Sequence, residues 1–165
     1  MSGGENMRDA SGQKTVIRRA SLADLETLRR FEQGIIAAER PYDPTIRQGD
    51  VQYYDIGALI VSPDAFVALA ERGGAPVGCG FARKSPSRSC EEPPFHAYVG
   101  LMFVAPEHRG GGISAALLAA LKDWARATGL FEIRLEVYPD NAPAMRAYRK
   151  SGFAPHMLEM RLRLE

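Results

Sequence analysis

The chain has 165 residues, 45% apolar and 25% charged, and its 21 Lys and Arg against 20 Asp and Glu leave a formal net charge of +1. That length suits one domain with a real core, and the near-neutral balance argues against a protein built to grip nucleic acid or an anionic membrane, which shows as a basic excess. No stretch approaches the roughly 20 apolar residues of a membrane span and the first residues lack the apolar run of a signal peptide, so a cytoplasmic protein without a membrane partner is expected.

Residues 1–13 carry Ser, Gly and charge without apolar periodicity, which predicts a disordered tail ahead of a single domain over residues 14–165. "TVIRRA" reads as a short strand. Ser21 and Asp24 then open a helix whose Leu22, Leu25, Leu28, Phe31 and Ile35 form one apolar face, and Pro41 closes it. Between Pro41 and Pro63 the pattern is broken, with Tyr42, Asp43, Asp50, Tyr53, Tyr54 and Asp55 giving an aromatic and acidic character. "AFVALAERGGAPVGCGFARK" predicts a hairpin turning at Gly73-Gly74, "SPSRSCEEPP" a loop, and "FHAYVGLMFV" a strand ended by Pro106.

From Gly110 to Thr128 the residues Ile113, Leu117, Leu121 and Trp124 lie on one helical face, and Gly129 is the expected stop. "FEIRLEV" alternates strictly and predicts a half-buried strand. A helix capped by Asn141, with Pro143 in its first turn and Gly152 at its end, leads into "HMLEMRLRL" as a last strand. The order predicts a mixed α/β (α+β) domain around a mostly antiparallel sheet, with one βαβ crossover.

The crossover opens on "HRGGGIS". A helix N-terminus has unpartnered N–H groups and a positive dipole end, and glycine lets the backbone approach an anion, so a strand, "RGGG" and a helix read either as a phosphate cradle or as a connecting turn. The P-loop is excluded because Ile113 and Ser114 stand where Lys and Ser/Thr are needed, and the dinucleotide fingerprint because "GGG" lacks its spacing. Cys79 and Cys90 are too few for a disulfide framework or a zinc site, and no metal is expected.

"VAPEHRGGGIS" followed by "LEVYPDNAPAMRAYRKSGF" resembles the two signature segments of the GNAT superfamily of N-acetyltransferases, with Arg109, Gly112 and Ser114 in the defined places of the Q/R-x-x-G-x-G/A pattern; Ser114 departs from the usual Gly or Ala. The resemblance spans nearly the whole chain and implies a GNAT-like sheet of about six to seven strands flanked by helices. It implies acetyl-CoA as acyl donor, its pyrophosphate on Gly110, Gly111, Gly112, Ile113 and Ser114 with help from Arg109, and its pantetheine arm beside Met102, Phe103 and Val104. It further implies Tyr148 as general acid at the coenzyme A sulfur and Asn141 as a polar contact to the cofactor. The partner is then a small-molecule amine or a peptide or protein amine, and a homodimer is consistent with such domains. A noncatalytic acyl-CoA-binding module of the same fold is the alternative.

For the general base the residues leave several choices. His96, Tyr98, Gly100 and Met102 share one face of their strand unless a bulge at Gly100 reverses the parity, and His96 has a suitable ordinary pKa. Glu39 and Glu136 are rivals, and ordered water is another. Acceptor choice is expected to reside in residues 32–61, with Glu39 and Tyr54 as binding residues and an acidic lining suited to a cationic amine.

Overall fold

A computed structural model describes residues 14–164; the tail expected over residues 1–13 lies outside them. Four antiparallel strands follow one another in chain order: β1 (Thr15–Arg19), β2 (Ala65–Arg72), β3 (Ala75–Pro86) and β4 (Phe95–Val104). The β2–β3 turn takes left-handed φ at both Gly73 and Gly74 (+56° and +79°), as a tight hairpin requires. A fifth strand, β5 (Ile133–Arg134), joins β4 in parallel.

Two apolar layers sandwich this sheet. On one face α1 (Leu25–Glu39) and α2 (Ile56–Val61) set Leu28, Phe31, Ile56 and Leu59 against Val67, Leu69, Phe81 and Leu101. On the other, α3 (Ile113–Ala127) sets Ile113, Leu117, Leu118 and Leu121 against Ala68, Ala70, Val77, Ala82 and Val99. The small residues on β2 and β3 let α3 come close, and each fully buried Leu or Ile contributes roughly 1.5–3 kcal/mol. The last helix, α4 (Ala142–Lys150), is tied to α3 where Lys122 Nζ donates to the Ser151 carbonyl at 2.6 Å. Among the described residues no helix is long and apolar enough to cross a membrane.

Among the described residues the sheet has five strands, not the six to seven expected. Only Ile133 and Arg134 of "FEIRLEV" pair with β4, and "HMLEMRLRL" forms no strand: Met160 and Leu162 are 86% and 84% exposed. Alternation reports which side chains share a face; it does not supply the neighbouring edge that a ladder needs. The C-terminal segment is instead fastened by Arg161, whose Nη1 donates to Asp43 Oδ2 at 3.2 Å and to Thr45 Oγ1 at 3.3 Å.

A β-bulge in β4 decides which residues face which layer. Cys79 pairs with Phe103 and Phe81 with Gly100, so two steps on β3 oppose three on β4, and Leu101 takes φ +55°. Before the bulge Tyr98 faces α1 and Val99 faces α3. Beyond it Met102 and Val104 pack on the α3 side while Phe103 joins Phe31 on the α1 side, with ring centroids 4.8 Å apart. Met102 therefore does not share a face with Tyr98, and the parity reversal sits at the glycine expected to allow it. The register is held by close backbone approach at Gly78, where an added Cβ would lie 2.7 Å from the Phe103 carbonyl oxygen. Gly78→Ala should therefore destabilise the fold by about 1–3 kcal/mol through overpacking, measured as a lower urea midpoint at unchanged m-value.

Candidate active site

β4 and β5 stay together only over Ala97–Ile133 and Tyr98–Arg134 and then part, leaving the outer edge of β4 open from Gly100 onward. The Ala105 N–H donates to the Val77 carbonyl of β3 at 2.8 Å, so across the planar trans peptide the Val104 carbonyl points outward from the sheet. Arg109 Nε donates to that carbonyl at 3.1 Å, which fixes its otherwise exposed guanidinium at the mouth of the opening.

The glycine loop lies next along the chain. After the turn Pro106–His108, Gly110 and Gly112 take φ of +78° and +77°, and Gly112 is the N-cap of α3 without a side-chain cap. The first N–H groups of α3 thus have no intrahelical partner and lie at its positive end, an arrangement that suits a phosphate. Ile113 turns its side chain into the core, 2% exposed, and offers only backbone, while Ser114 is half-buried beside it.

Tyr148 lies on the α3 side of the sheet. Its ring packs with Phe153 (centroids 5.9 Å apart) against the same cluster that Met102 and Val104 of β4 join, and Glu39 and Tyr54 from the α1 side act on its hydroxyl. Burial, then those two groups, push its pKa up to about 12, which keeps the hydroxyl protonated.

The α1 side of the opening is phenolic and acidic. Burial raises the Glu39 carboxyl above the ordinary glutamate range despite a hydrogen bond from Tyr53, with Asp43 adding to the rise. Tyr98 Oη lies 3.4 Å from Glu136 Oε2 and is hydrogen-bonded to Tyr54, whose own ring meets Phe81 edge-on at 4.8 Å. Burial raises the pKa of Tyr53, Tyr54 and Tyr98 alike, so all three remain neutral donors. At the outer end Tyr42 stacks on Tyr138 at 6.1 Å, and Tyr138 donates to Asp43 at 3.1 Å. Hydrogen bonds from Thr45, followed by that from Tyr138 and the charge of Arg161, hold the Asp43 carboxyl down at about 2.

The sequence-predicted residues divide accordingly. Tyr54, Tyr98 and Glu136 are linked by hydrogen bonds on the α1 side, where Tyr53 bonds Glu39, while Tyr148 packs with Met102 and Val104 on the α3 side, and Arg109 holds the end of β4 next to the glycines. Asn141 caps α4, its side chain accepting from the Ala144 N–H at 3.3 Å, a contact that generally contributes about 1 kcal/mol. His96 lies elsewhere: it is buried at the start of β4 with Nδ1 3.0 Å from Ser87 Oγ, and burial and then Arg134 lower its pKa. Its charged neighbours are Arg134, Glu132 and Glu91, whereas Glu39 is the one that acts on Tyr148.

Sequence reasoning missed the role of Glu32. This residue is 1% exposed, and its Oε1 accepts from the backbone N–H groups of both Tyr53 and Tyr54 at 3.0 Å, holding the loop that aims the two phenols. The signal was present, since Glu32 falls four residues after Leu28 and four before Ile36, in the buried row of α1. Glu32→Ala should cost about 2–4 kcal/mol by stranding two buried donors, read as a lower urea midpoint, with a higher KM for the acceptor in what remains folded.

The profile of the Acetyltransferase (GNAT) family matches residues 27–153. The chain is similar to the IAA acetyltransferase of Azospirillum brasilense, 37% identical over 95 residues, a match spanning 58% of each protein. It is also similar to the N-alpha-acetyltransferase RimI of Mycobacterium tuberculosis, 30% identical over 131 residues, or 79% of this chain and 73% of that one. In fold it is similar to AAC(6')-Iy in complex with the bisubstrate analog CoA-S-monomethyl-acetylneamine, with a TM-score of 0.69 at 20% identity, covering 92% of this chain and 98% of that one. With the glycine loop, the opened sheet and Tyr148 on the elements where the motifs put them, the chain belongs to the GNAT acetyltransferase family.

Proposed function

We propose that this protein transfers the acetyl group of acetyl-CoA to a primary amine, by direct attack within a ternary complex. The observation that carries the reading is the packing of Tyr148 in one cluster with Met102 and Val104, the end of β4 that leads to the glycine loop at the head of α3. The residues present fit the donor. The glycine loop suits the pyrophosphate, and the outward backbone groups of Met102 and Val104, on either side of the inward-facing Phe103, suit the amides of the pantetheine arm. When bound, acetyl-CoA supplies the acetyl group as an activated thioester.

The chain's own groups do the rest. Tyr148, neutral at physiological pH, holds a proton for the sulfur as the carbon–sulfur bond breaks and the carbon–nitrogen bond forms, and regains one from the amide nitrogen. Glu39, already raised by burial, takes the ammonium proton that the amine must lose before attack, and its charge with that of Glu136 favours a cationic acceptor. His96, with its separate partners, is left outside this proton path.

Calorimetric titration with acetyl-CoA followed by an amine panel tests the reading: acetyl-CoA should bind and at least one primary amine should release free thiol. Tyr148→Phe should bind acetyl-CoA as the native protein does but turn over about 100-fold more slowly. No binding by the native protein, or full turnover by the variant, would sink the assignment.

Because Glu39 titrates above an ordinary glutamate, kcat/KM should fall on the acid side through a pKa higher than 4.5. The carboxylate form is the active one, so activity is retained above that pKa and lost as pH drops through it. Glu39→Gln should lower kcat/KM for the amine and abolish that limb of the pH profile.

A further inference from the structure

Beneath the glycine loop lies a cation that no signature motif includes. Arg72, the last residue of β2, is 7% exposed; its Nε donates to Thr15 Oγ1 at 3.0 Å and its Nη2 donates to the Gly111 carbonyl at 3.1 Å. Thr15 is itself buried and is the cross-strand partner of Arg72 on β1. The guanidinium is thus fixed to the sheet on one side and to the middle of the loop on the other. The fit is close, since a Cβ added at Gly111 would lie 2.7 Å from Arg72 Nη2.

We propose that Arg72 is a positioning residue for the cofactor's pyrophosphate, holding the loop so that its N–H donors face outward; this rests on the reading that the loop binds acetyl-CoA. The argument follows from peptide geometry. The bond between Gly111 and Gly112 is trans, so the Gly111 carbonyl and the Gly112 N–H point in opposite directions. Arg72 draws the carbonyl inward, and the Gly112 N–H must therefore point away from the sheet, toward the side where an anion sits. Flanking positive φ values at Gly110 and Gly112 allow that orientation without a Cβ clash. Gly111 is required for a reason separate from its neighbours: Gly110 and Gly112 supply backbone conformation, and Gly111 supplies room for the guanidinium.

The test separates a pyrophosphate effect from a general loss of structure. Arg72→Met and Thr15→Val are compared with the native protein by calorimetric Kd for acetyl-CoA, and by steady-state kinetics with acetyl-CoA and with S-acetylpantetheine, which lacks the pyrophosphate and nucleotide. Arg72→Met should raise Kd and KM for acetyl-CoA about tenfold with kcat within about twofold, and leave kcat/KM for S-acetylpantetheine unchanged. Thr15→Val, which removes the acceptor that orients the guanidinium, should move Kd the same way by a smaller factor and keep the protein folded if Arg72→Met does not. Equal losses on both donors, or an unchanged Kd in both variants, would overturn the proposal while leaving the acetyltransferase reading intact. Failure of the native protein to bind acetyl-CoA would overturn that reading and this one together.

Discussion

The parting of β4 and β5 after Tyr98 and Arg134 is the constraint around which the site is arranged. A parallel pair that ends after two residues leaves a run of backbone N–H and C=O groups on β4 without a ladder partner, and such an edge needs a substitute. Arg109 takes one of its carbonyls, and the remainder is an extended template for an amide-bearing ligand. Tyr148 packs on the α3 side of that edge, in the cluster that Met102 and Val104 join. The bulge at Leu101 then turns Phe103 to the α1 side and Met102 and Val104 to the α3 side.

Each wall of the opening is set by a buried polar contact from a residue outside the signature motifs. On the α1 side Glu32 grips the N–H groups of Tyr53 and Tyr54, so that one carboxylate within an apolar helix face decides where two phenols point. On the donor side Arg72 grips the Gly111 carbonyl. Both use a charged side chain against neutral backbone, a stronger bond than a neutral pair, and both sit where an uncompensated charge would be costly. This division suits a family that keeps its donor and varies its acceptor: the Gly111 brace belongs to the sheet and α3, whereas the Glu32 brace belongs to α1 and the irregular loop after it.

Much of the fold was legible in the chain because local periodicity and punctuation agreed. The Gly73-Gly74 hairpin, the Leu117 and Leu121 face of α3 and the Asn141 cap are short-range features whose residues sit within a few positions of one another. The C-terminal segment failed for the complementary reason. Its alternation of Leu158, Met160, Leu162 and Leu164 is that of a strand, but pairing needs a second edge, and the described chain does not bring one beside it. His96 looked plausible because its chemistry suits a base, yet three-dimensional placement gives it Ser87 and the Arg134 ion pairs for company.

The sequence by itself determined β1 to β4, α1 and α3, where glycine frees the backbone at the head of α3, and that a helix capped by Asn141 carries Tyr148 two turns on. These follow from steric and periodic rules that act over one or two turns. Only the tertiary structure decided that Glu39 meets Tyr53, that Glu32 and Arg72 reach the loops they brace, and that Tyr148 packs beside Met102 and Val104. Arg72 and Gly111 are 39 residues apart and Thr15 and Arg72 are 57 apart, and contacts at such separations depend on how the sheet closes over its core, which no local pattern records.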